Sequence, residues 1–356
     1  MERKQQFASD LVHWFQENKR DLPFRKTKDP YSIWISEIMA QQTQIDTLIP
    51  YYKQFIQKFP DVSTLAAAEE SDVLKAWEGL GYYSRAKNLH KAAKKIMEEH
   101  HGRFPGNYEE ILALPGVGPY TGGAIASIAL GLQVSAVDGN VLRVITRFNN
   151  WKDDIAQGPT KKKVTQWVDA ALPLHPGDFN EGLMELGALI CTPKAPSCLL
   201  CPVREACSAF ASGTTEEVPV KTKKIKQKRL PMEVGLLYDL EGIYILKRPD
   251  SGLLSGLWSF PICEASTVPG DSITHYLEAC FSTLPPAQLL GKEKHVFSHI
   301  IWDMSIYGFH LNGLQVREPQ CQYRDNTTFV SWADLEEQIT LPVAFSKLLR
   351  FIRIKK

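Results

Sequence analysis

The chain has 356 residues and a formal net charge of +1 at pH 7, so its overall charge gives no indication of a nucleic-acid partner. Its hydrophobic share of 44% and charged share of 23% are normal for a soluble globular protein, and the length predicts two domains. No apolar run is long enough to span a membrane, and no signal-peptide core follows the N-terminus. We therefore expect a cytoplasmic protein that has no membrane partner.

Helical spacing of apolar residues dominates the first part of the chain. Phe7, Leu11, Trp14 and Phe15 form an apolar stripe on a first predicted helix. Glycine and proline punctuate the joins between the segments that follow. Further helices are predicted at residues 33–49, 51–59, 72–79, 85–99, 109–114 and 121–130. Residues 1–211 are accordingly predicted to be a helical domain.

One carboxylate, Glu37, lies in an apolar helical segment. Trp34 and Ile33 precede it by three and four residues, so Glu37 is predicted to lie over an apolar face. A desolvated carboxyl group keeps its proton to a higher pH, as a general acid requires. The alternative is a glutamate at the edge of that face which reaches water.

A glycine-rich turn follows in the segment Leu112–Thr121. Gly116 and Gly118 allow a tight hairpin between two helices and leave backbone N–H groups free at the start of the second helix. Such groups, helped by the helix dipole, bind a phosphate of a nucleic acid whatever its base sequence. An ordinary turn between packed helices is the alternative.

Four of the seven cysteines crowd into 17 residues with the spacing C-x6-C-x2-C-x5-C. In a reducing compartment, clustered cysteines indicate a metal site more than disulfides. A structural zinc site usually pairs two C-x2-C knuckles, whereas one compact loop can wrap a [4Fe–4S] cluster. The spacing therefore favours an iron–sulfur cluster over zinc, and its ligands would be Cys191, Cys198, Cys201 and Cys207.

The pattern changes after residue 211. Residues 212–231 form a predicted linker in which six of the nine residues from Lys221 to Arg229 are basic. A solvated linker is the favoured interpretation, and a contact with a phosphate backbone is the alternative. An α+β domain is predicted beyond it. Its strands are expected at residues 234–238, 243–247, 301–311 and 329–330, and its helices at 272–281 and 344–352.

These motifs together resemble a known family over roughly residues 7–340. The cysteine spacing and the string L-P-G-V-G-x-Y-T resemble the endonuclease III superfamily of DNA glycosylases, and S-E-I-M-A-Q-Q-T-Q at residues 36–44 resembles adenine DNA glycosylases, the MutY family. The resemblance implies a mainly α glycosylase domain over residues 1–211. Its helix–hairpin–helix would lie at about 109–130 and its iron–sulfur loop at 191–207. A basic linker (212–231) and an α+β, Nudix-like recognition domain (232–356) would follow.

The resemblance also assigns chemistry. Glu37 would be the general acid that protonates adenine at N7, and Asp138 would stabilise the resulting sugar cation or bond to it briefly, with Tyr120 and Asn140 as hydrogen-bonding supports. Bifunctional relatives carry a lysine where this chain has Tyr120, and a phenol cannot form the Schiff base. The resemblance therefore implies a monofunctional enzyme that leaves an abasic site.

The implied partner is double-stranded DNA that holds adenine opposite 8-oxoguanine or guanine, and we expect the protein to be a monomer. Leu80 and Tyr82 would intercalate beside the estranged base. Polar or base contacts are implied for Arg25, Gln41, Gln42, Thr43, Glu181, Phe297, Ser298 and His299, and phosphate contacts for Gly116 and Gly118. Phe24 and Ala40 depart from the family's tryptophan and leucine, so we expect the adenine pocket to differ in shape from the family's.

Two other functions remain open at this point. An oxidised-pyrimidine glycosylase with lyase activity is disfavoured by Tyr120, and a non-catalytic iron–sulfur scaffold that binds DNA is disfavoured by Glu37 together with Asp138. Nucleotide hydrolysis by the second domain is not expected, because residues 266–284 offer only Asp271 and Glu278 for the divalent metal that a Nudix hydrolase needs.

Overall fold

The structure is a computed structural model that describes residues 2–222, 227–281, 283–311 and 327–352. It consists of two compact units. The first comprises Met1–Ala68 and Ser84–Lys223, and the second comprises Glu69–Tyr83 and Lys224–Lys356. The predicted order of a helical part followed by an α+β part is confirmed.

Helices build the first unit. In chain order they are α1 (Glu2–Asn18), α2 (Pro30–Ala40), α3 (Ile45–Lys58), α4 (Val62–Ala67), α6 (Ser84–His100), α7 (Tyr108–Leu112), α8 (Pro119–Leu130), α9 (Gly139–Asn149), α10 (Gly158–Asp169), α11 (Pro176–Leu189) and α12 (Ser208–Ala211). The intervening α5 (Glu70–Ala76) belongs to the second unit. Within the described ranges, no helix combines the length and the apolar character needed to cross a bilayer.

The apolar stripe of α1 packs into the core of the first unit, as predicted. Phe7, Leu11 and Phe15 are buried, and the Phe7 ring meets the ring of Phe148 edge-on at 4.6 Å. Burial of one such side chain contributes about 1.5–3 kcal/mol. Gly182 of α11 faces this stripe, and a Cβ atom there would lie 3.2 Å from Phe15 Cβ. The glycine therefore permits the close approach of α1 and α11.

The single helix predicted over residues 33–49 is wrong, since α2 ends at Ala40 and α3 begins at Ile45. Gln42 lies between them with φ = +59°, a left-handed conformation that no helix continues through. The sequence also predicts a break at Pro50, between the helices expected at 33–49 and 51–59. This break is absent, because α3 runs through the proline. Burial of Leu48, Tyr52 and Phe55 outweighs the cost of one proline in the helix.

In the described part of the chain, the second unit contains a seven-stranded mixed sheet. The order of its main path is β3-β2-β1-β6-β5, with β4 paired to β1 and β7 paired to β2. The β1–β6 pair is parallel and the other pairs are antiparallel. The strands are β1 (Lys228–Tyr238), β2 (Gly242–Lys247), β3 (Trp258–Ser259), β4 (Ile262–Glu264), β5 (Gln288–Val296), β6 (Ile300–His310) and β7 (Thr327–Ser331).

Helices cover both faces of this sheet. They are α13 (Asp271–Glu278), α14 (Trp332–Glu337) and α15 (Val343–Ser346). One apolar cluster includes Phe345 of α15, and the other includes Ile273 and Leu277 of α13. Buried Glu233 accepts hydrogen bonds from Gly270 N (2.6 Å) and Ile273 N (3.0 Å). This buried carboxylate thus holds the first turn of α13 against β1.

The predicted linker extends too far at its C-terminal end. Strand β1 begins at Lys228, which pairs with Ile300 of β6, so residues 228–231 belong to the sheet. The parallel partner satisfies backbone groups that a solvated linker would leave to water. Residues 223–226, which carry three lysines of the basic run, lie outside the described residues.

Candidate active site

A cavity of about 460 Å³ opens in the first unit. Its walls combine apolar side chains with an unusual number of charged ones. The lining residues are Arg20, Leu22, Phe24, Arg25, Ile33, Ser36, Glu37, Ala40, Thr43, Gln44, Ile45, Tyr120, Ile128, Asp138, Asn140, Glu181, Met184, Glu185 and Ala188. The structure therefore brings Glu37, Tyr120, Asp138, Asn140, Glu181, Arg25 and Thr43, all singled out in the sequence, to one site.

Glu37 reaches the cavity from α2, which is fixed at both ends. Asp29 caps the first turn by accepting hydrogen bonds from Tyr31 N and Ser32 N. Buried Arg85 donates to the carbonyl groups of Ile38 (3.0 Å) and Gln41 (2.5 Å) at the other end. Both contacts satisfy backbone groups that a helix terminus leaves without partners. The last turns of α2, which carry Glu37, are thereby held in one position.

Burial raises the pKa of Glu37 to about 7. The hydroxyl of Tyr120 donates to Glu37 Oε2 at 2.7 Å, which lowers this pKa, while the nearby carboxylates of Glu181 and Asp138 raise it. A carboxyl group with a pKa near 7 is present in both protonation states at neutral pH. Glu37 can therefore deliver a proton to a group inside the cavity.

Asp138 caps the N-terminus of α9. It accepts hydrogen bonds from Val141 N (2.8 Å) and Asn140 Nδ2 (2.8 Å). Burial raises the pKa of Asp138, and these two donors oppose that rise because they stabilise the carboxylate. The capping position gives the carboxylate a fixed orientation beside the cavity, and the helix dipole favours its charged form.

A chain of hydrogen bonds leads from Asp138 towards the cysteine loop. Asn140 donates to Asp138 and accepts from Arg143 Nη2 at 2.8 Å. The Nε atom of Arg143 donates to the carbonyl oxygen of Cys191 at 2.7 Å. Arg143 therefore fixes Asn140, which supports the Asp138 carboxylate, and it also fixes the start of the cysteine loop at Cys191.

The sequence analysis missed a second charged group on the cavity wall. Buried Glu185 accepts hydrogen bonds from Arg20 Nη2 (2.7 Å) and Arg25 Nη2 (2.9 Å), and Arg25 also pairs with Glu181 at 3.2 Å. Burial alone would raise the pKa of Glu185, but the two arginines outweigh it and bring this pKa to about 2. Glu185 follows Glu181 by one helical turn, so the spacing could have placed it on the same face of α11, but not its pairing with the two arginines.

The remaining predicted positions near α2 lie at its C-terminal end. Gln41 donates to Thr121 Oγ1 at 3.2 Å, Gln42 is exposed with its left-handed backbone, and Thr43 lines the cavity. Phe24 and Ala40, the two departures from the family pattern, also line the cavity. Both side chains are smaller than the tryptophan and leucine of the family pattern, so we expect a roomier cavity at these two positions.

The hairpin glycines precede α8. Gly118 is the N-terminal capping residue of α8, and Gly116 has φ = +78°. A Cβ atom at Gly116 would lie 2.8 Å from Asn88 Cβ, so both the backbone conformation and the space require glycine. The first N–H groups of an α-helix have no acceptor within the helix, so a phosphate contact at the start of α8 stays a prediction.

The four clustered cysteines surround a cavity of about 30 Å³. Buried Arg147 contacts Cys191 Sγ at 3.4 Å and donates to the carbonyl oxygen of Thr192 at 2.6 Å. None of the cysteines in the described part of the chain forms a disulfide. Within the same ranges, no three His, Cys, Asp or Glu side chains converge closely enough to hold a single metal ion.

The other predicted contact residues belong to the second unit. Tyr82 is 48% exposed, whereas Leu80 is 8% exposed, so in this conformation only Tyr82 projects in the way an intercalating side chain must. Phe297 is partly buried, and Ser298 and His299 are exposed in the turn between β5 and β6. The intercalating role of Leu80 thus requires a local rearrangement.

Comparison with known proteins agrees with this organisation. Residues 35–170 match the helix–hairpin–helix superfamily of base excision DNA repair proteins, HhH-GPD, and residues 233–351 match the NUDIX domain. The adenine DNA glycosylase of Rattus norvegicus is 34% identical over 97% of this chain and 77% of its own length. The chain belongs to the adenine DNA glycosylase family. The family member of a Buchnera aphidicola strain from Acyrthosiphon pisum is 31% identical over 96% of both chains.

Solved structures agree with the fold of the helical part. A thermostable thymine-DNA glycosylase superimposes with a TM-score of 0.54 and 30% identity, over 59% of this chain and 98% of its own. Endonuclease III trapped covalently on DNA gives a TM-score of 0.51 at 21% identity, over 59% of this chain and 98% of its own. These two matches agree with the helical fold, and with the sequence relatives they confirm the predicted family and fold class. The roles of individual site residues stay predictions.

Proposed function

We propose that this protein is a monofunctional glycosylase that excises adenine from double-stranded DNA. The observation that carries the proposal is Glu37, a carboxyl group of raised pKa that faces a 460 Å³ cavity beside a second carboxylate, Asp138. Volumes of about 300–1,000 Å³ are typical of small-molecule sites, so the cavity is of a size suited to a flipped base. The many adenine DNA glycosylases among its relatives support adenine as that base.

The cavity residues account for each step of hydrolysis. Neutral adenine is a poor leaving group, so Glu37 donates its proton to N7 while the bond from C1′ to N9 breaks and its electron pair stays with adenine. The carboxylate of Asp138 stabilises the positive charge that develops on the sugar. Water then attacks C1′ and gives a proton to the Glu37 carboxylate, which restores the acid and leaves an abasic site. Tyr120 positions Glu37, and Asn140 positions Asp138.

Excision on a panel of duplexes tests this proposal. The protein should release adenine opposite 8-oxoguanine and opposite guanine, and it should leave thymine glycol in place. Product strands should remain intact until they are heated in alkali, because Tyr120 offers no amine for a Schiff base. Rapid nicking at neutral pH, or excision of thymine glycol alone, would support an oxidised-pyrimidine glycosylase with lyase activity instead.

We also propose that Cys191, Cys198, Cys201 and Cys207 hold a [4Fe–4S] cluster. The donor set fits this group, because four free thiols from one loop surround one small cavity, and buried Arg147 beside them balances negative charge. The single C-x2-C knuckle favours this cluster over a zinc ion, because structural zinc sites usually pair two such knuckles. The cluster would supply a rigid scaffold for the loop and no step of the hydrolysis.

Metal analysis checks this assignment. Protein purified without oxygen should be brown and contain about four irons per chain. Cys198→Ser should lose most of this iron and the visible absorption band. Cys263→Ser, a matched change at a partly buried cysteine of the sheet unit, should keep both. Stoichiometric zinc without iron in the wild-type protein would contradict the assignment.

The base opposite adenine has to be recognised outside the catalytic pair, and we assign that role to the turn that carries Ser298. 8-Oxoguanine differs from guanine at two edge positions, where O8 replaces a C–H and N7 becomes a donor. The exposed Ser298 hydroxyl can both donate and accept. Phe297 helps to fix this turn through its contact with the Trp302 ring at 4.8 Å.

Replacement of Ser298 and His299 by alanine should weaken the preference for adenine opposite 8-oxoguanine over adenine opposite guanine by about 1–3 kcal/mol. The measurement is the ratio of excision efficiencies at sub-saturating enzyme. Ser266→Ala, at another exposed serine of the same unit, serves as the control and should keep the wild-type ratio. An unchanged ratio in the double variant would place recognition with Gln42, Thr43 and Leu80 instead.

The monomeric state and the cytoplasmic location of the protein stay predictions.

A further inference from the structure

The segment Glu69–Tyr83 is part of the sheet unit, although it is flanked in sequence by helices of the first unit. It consists of α5 and a tight loop that ends at Tyr82. Gly79, Gly81 and Tyr82 have φ values of +97°, +67° and +46°. A left-handed backbone is costly for tyrosine, so surrounding contacts must hold it in place. Under the function proposed above, Tyr82 of this loop is the residue that intercalates into the DNA.

Lys75 joins the segment to the end of α14. Its Nζ atom donates to the carbonyl oxygens of Glu336 (2.7 Å) and Ile339 (2.9 Å). Carbonyl groups at the C-terminus of a helix lack partners within the helix, and a cation there also interacts favourably with the helix dipole. The ammonium group therefore caps α14 from a segment distant in sequence.

Glu78 completes this connection. Its Oε2 atom pairs with Lys75 Nζ at 2.8 Å, and its Oε1 atom accepts from Leu341 N at 2.9 Å. Leu341 is buried in the apolar core of the sheet unit. The side chains of Lys75 and Glu78 are 25% and 31% exposed, so solvent screens this pair less than it would an open surface pair. We call Lys75 and Glu78 the clamp.

A second contact lies at the end of the same segment. The hydroxyl of Tyr82 and the hydroxyl of Ser298 are 3.1 Å apart. The turn that carries Ser298 is fixed on its own side, since Gln227 Nε2 donates to the carbonyl oxygen of Phe297 at 2.7 Å and Lys228 N donates to that of His299 at 3.2 Å. The contact therefore joins two loops whose positions are set independently.

We propose that the clamp residues are positioning residues for recognition of the base opposite adenine. By fixing α5 on α14, they hold Tyr82 against Ser298, so the residue that enters the stack and the residue that contacts the base edge act together. This inference rests on the function proposed above. It assigns specificity to two side chains that do not line the excision cavity.

The test combines Lys75→Met, Glu78→Gln and the double variant with single-turnover excision from duplexes holding adenine opposite 8-oxoguanine or guanine. The preference for 8-oxoguanine should fall about 5-fold, the factor that one hydrogen bond is worth. The rate constant at saturating enzyme on the 8-oxoguanine duplex should stay near that of the wild type. Lys75→Arg, which keeps a donor and a charge, should restore the preference.

Lys95→Met is the matched control. Lys95 also donates to a backbone carbonyl, that of Ala113 at 3.0 Å, and pairs with Glu99 at 3.6 Å with a similar exposure of 28%. It belongs to the first unit, so its loss should leave the preference unchanged. An equal fall in Lys95→Met and Lys75→Met would show a general loss of stability and overturn the inference.

A double-mutant cycle isolates the route of the effect. Tyr82→Phe removes the contact with Ser298 and should lower the preference in the wild-type protein but add little in Lys75→Met. Additive effects would mean that the clamp does not act through Tyr82, and full preference in every clamp variant would overturn the inference. Failure of the wild-type protein to excise adenine would instead refute the proposed function, so the two failures are distinguishable.

Discussion

Glu37→Gln should abolish adenine excision while DNA affinity is retained. An amide has nearly the same shape as the carboxyl group but cannot give a proton to N7. Loss of a general acid typically lowers a rate by about 10²- to 10⁴-fold. Single-turnover rates at saturating enzyme measure the chemical step, and gel-shift titration of a duplex with an uncleavable adenine analogue measures affinity.

Two features of the structure sharpen this expectation. Tyr120 donates to Glu37 Oε2, and glutamine can still accept that hydrogen bond through its carbonyl oxygen. Glu98→Gln, at an exposed glutamate of α6, is the control for a surface change from carboxylate to amide and should excise at the wild-type rate. Excision by Glu37→Gln within a few-fold of wild type would remove Glu37 from the mechanism.

Asp138→Asn should cost about 10²- to 10³-fold in the same rate, the range found when one group that stabilises transition-state charge is lost. Asparagine caps helices as well as aspartate does, so the hydrogen bond from Val141 N and the fold should both persist. The rate loss would therefore come from the missing negative charge and from the lost acceptor for Asn140 Nδ2 beside it. The measurement is single-turnover excision together with thermal unfolding.

Asp61→Asn is the matched control for this change. Asp61 caps α4 by accepting from Thr64 N at 2.8 Å and does not line the cavity. Its replacement should leave the excision rate unchanged. Equal rate losses in the two variants would show that helix capping, and not the charge beside the sugar, explains the effect.

The sequence predicts the catalytic pair better than it predicts the cavity wall. Glu37 stands out because it is a lone carboxylate in an apolar helix, and Asp138 follows from the family motif. Arg20 and Glu185 are ordinary charged residues until tertiary packing brings helix α11 beside the N-terminal loop, 165 residues away in sequence. Local patterns carry no information about such a pairing.

In the fold too, the sequence predicts elements set by local patterns and misses those set by contacts between distant residues. The spacing of apolar residues predicts α1, and apolar runs predict β1, β2 and β6, because these segments bury most of their apolar side chains. It does not predict the break at Gln42, where Arg85 from a distant helix binds the free carbonyl groups. It also does not place Glu69–Tyr83 with the sheet unit, since Lys75 and Glu78 find their partners more than 250 residues later.

The most direct test of the account is adenine release by the wild-type protein across pH, measured in single turnover on a duplex with adenine opposite 8-oxoguanine. Burial raises the pKa of Glu37 to about 7, and only the protonated form can act as the acid. The account predicts free adenine, a rate constant that is already falling with rising pH at pH 7, where about half of Glu37 is protonated, and a fall of about tenfold per pH unit well above it. Adenine that is never released, or is released at a rate unchanged up to pH 9, would contradict the account.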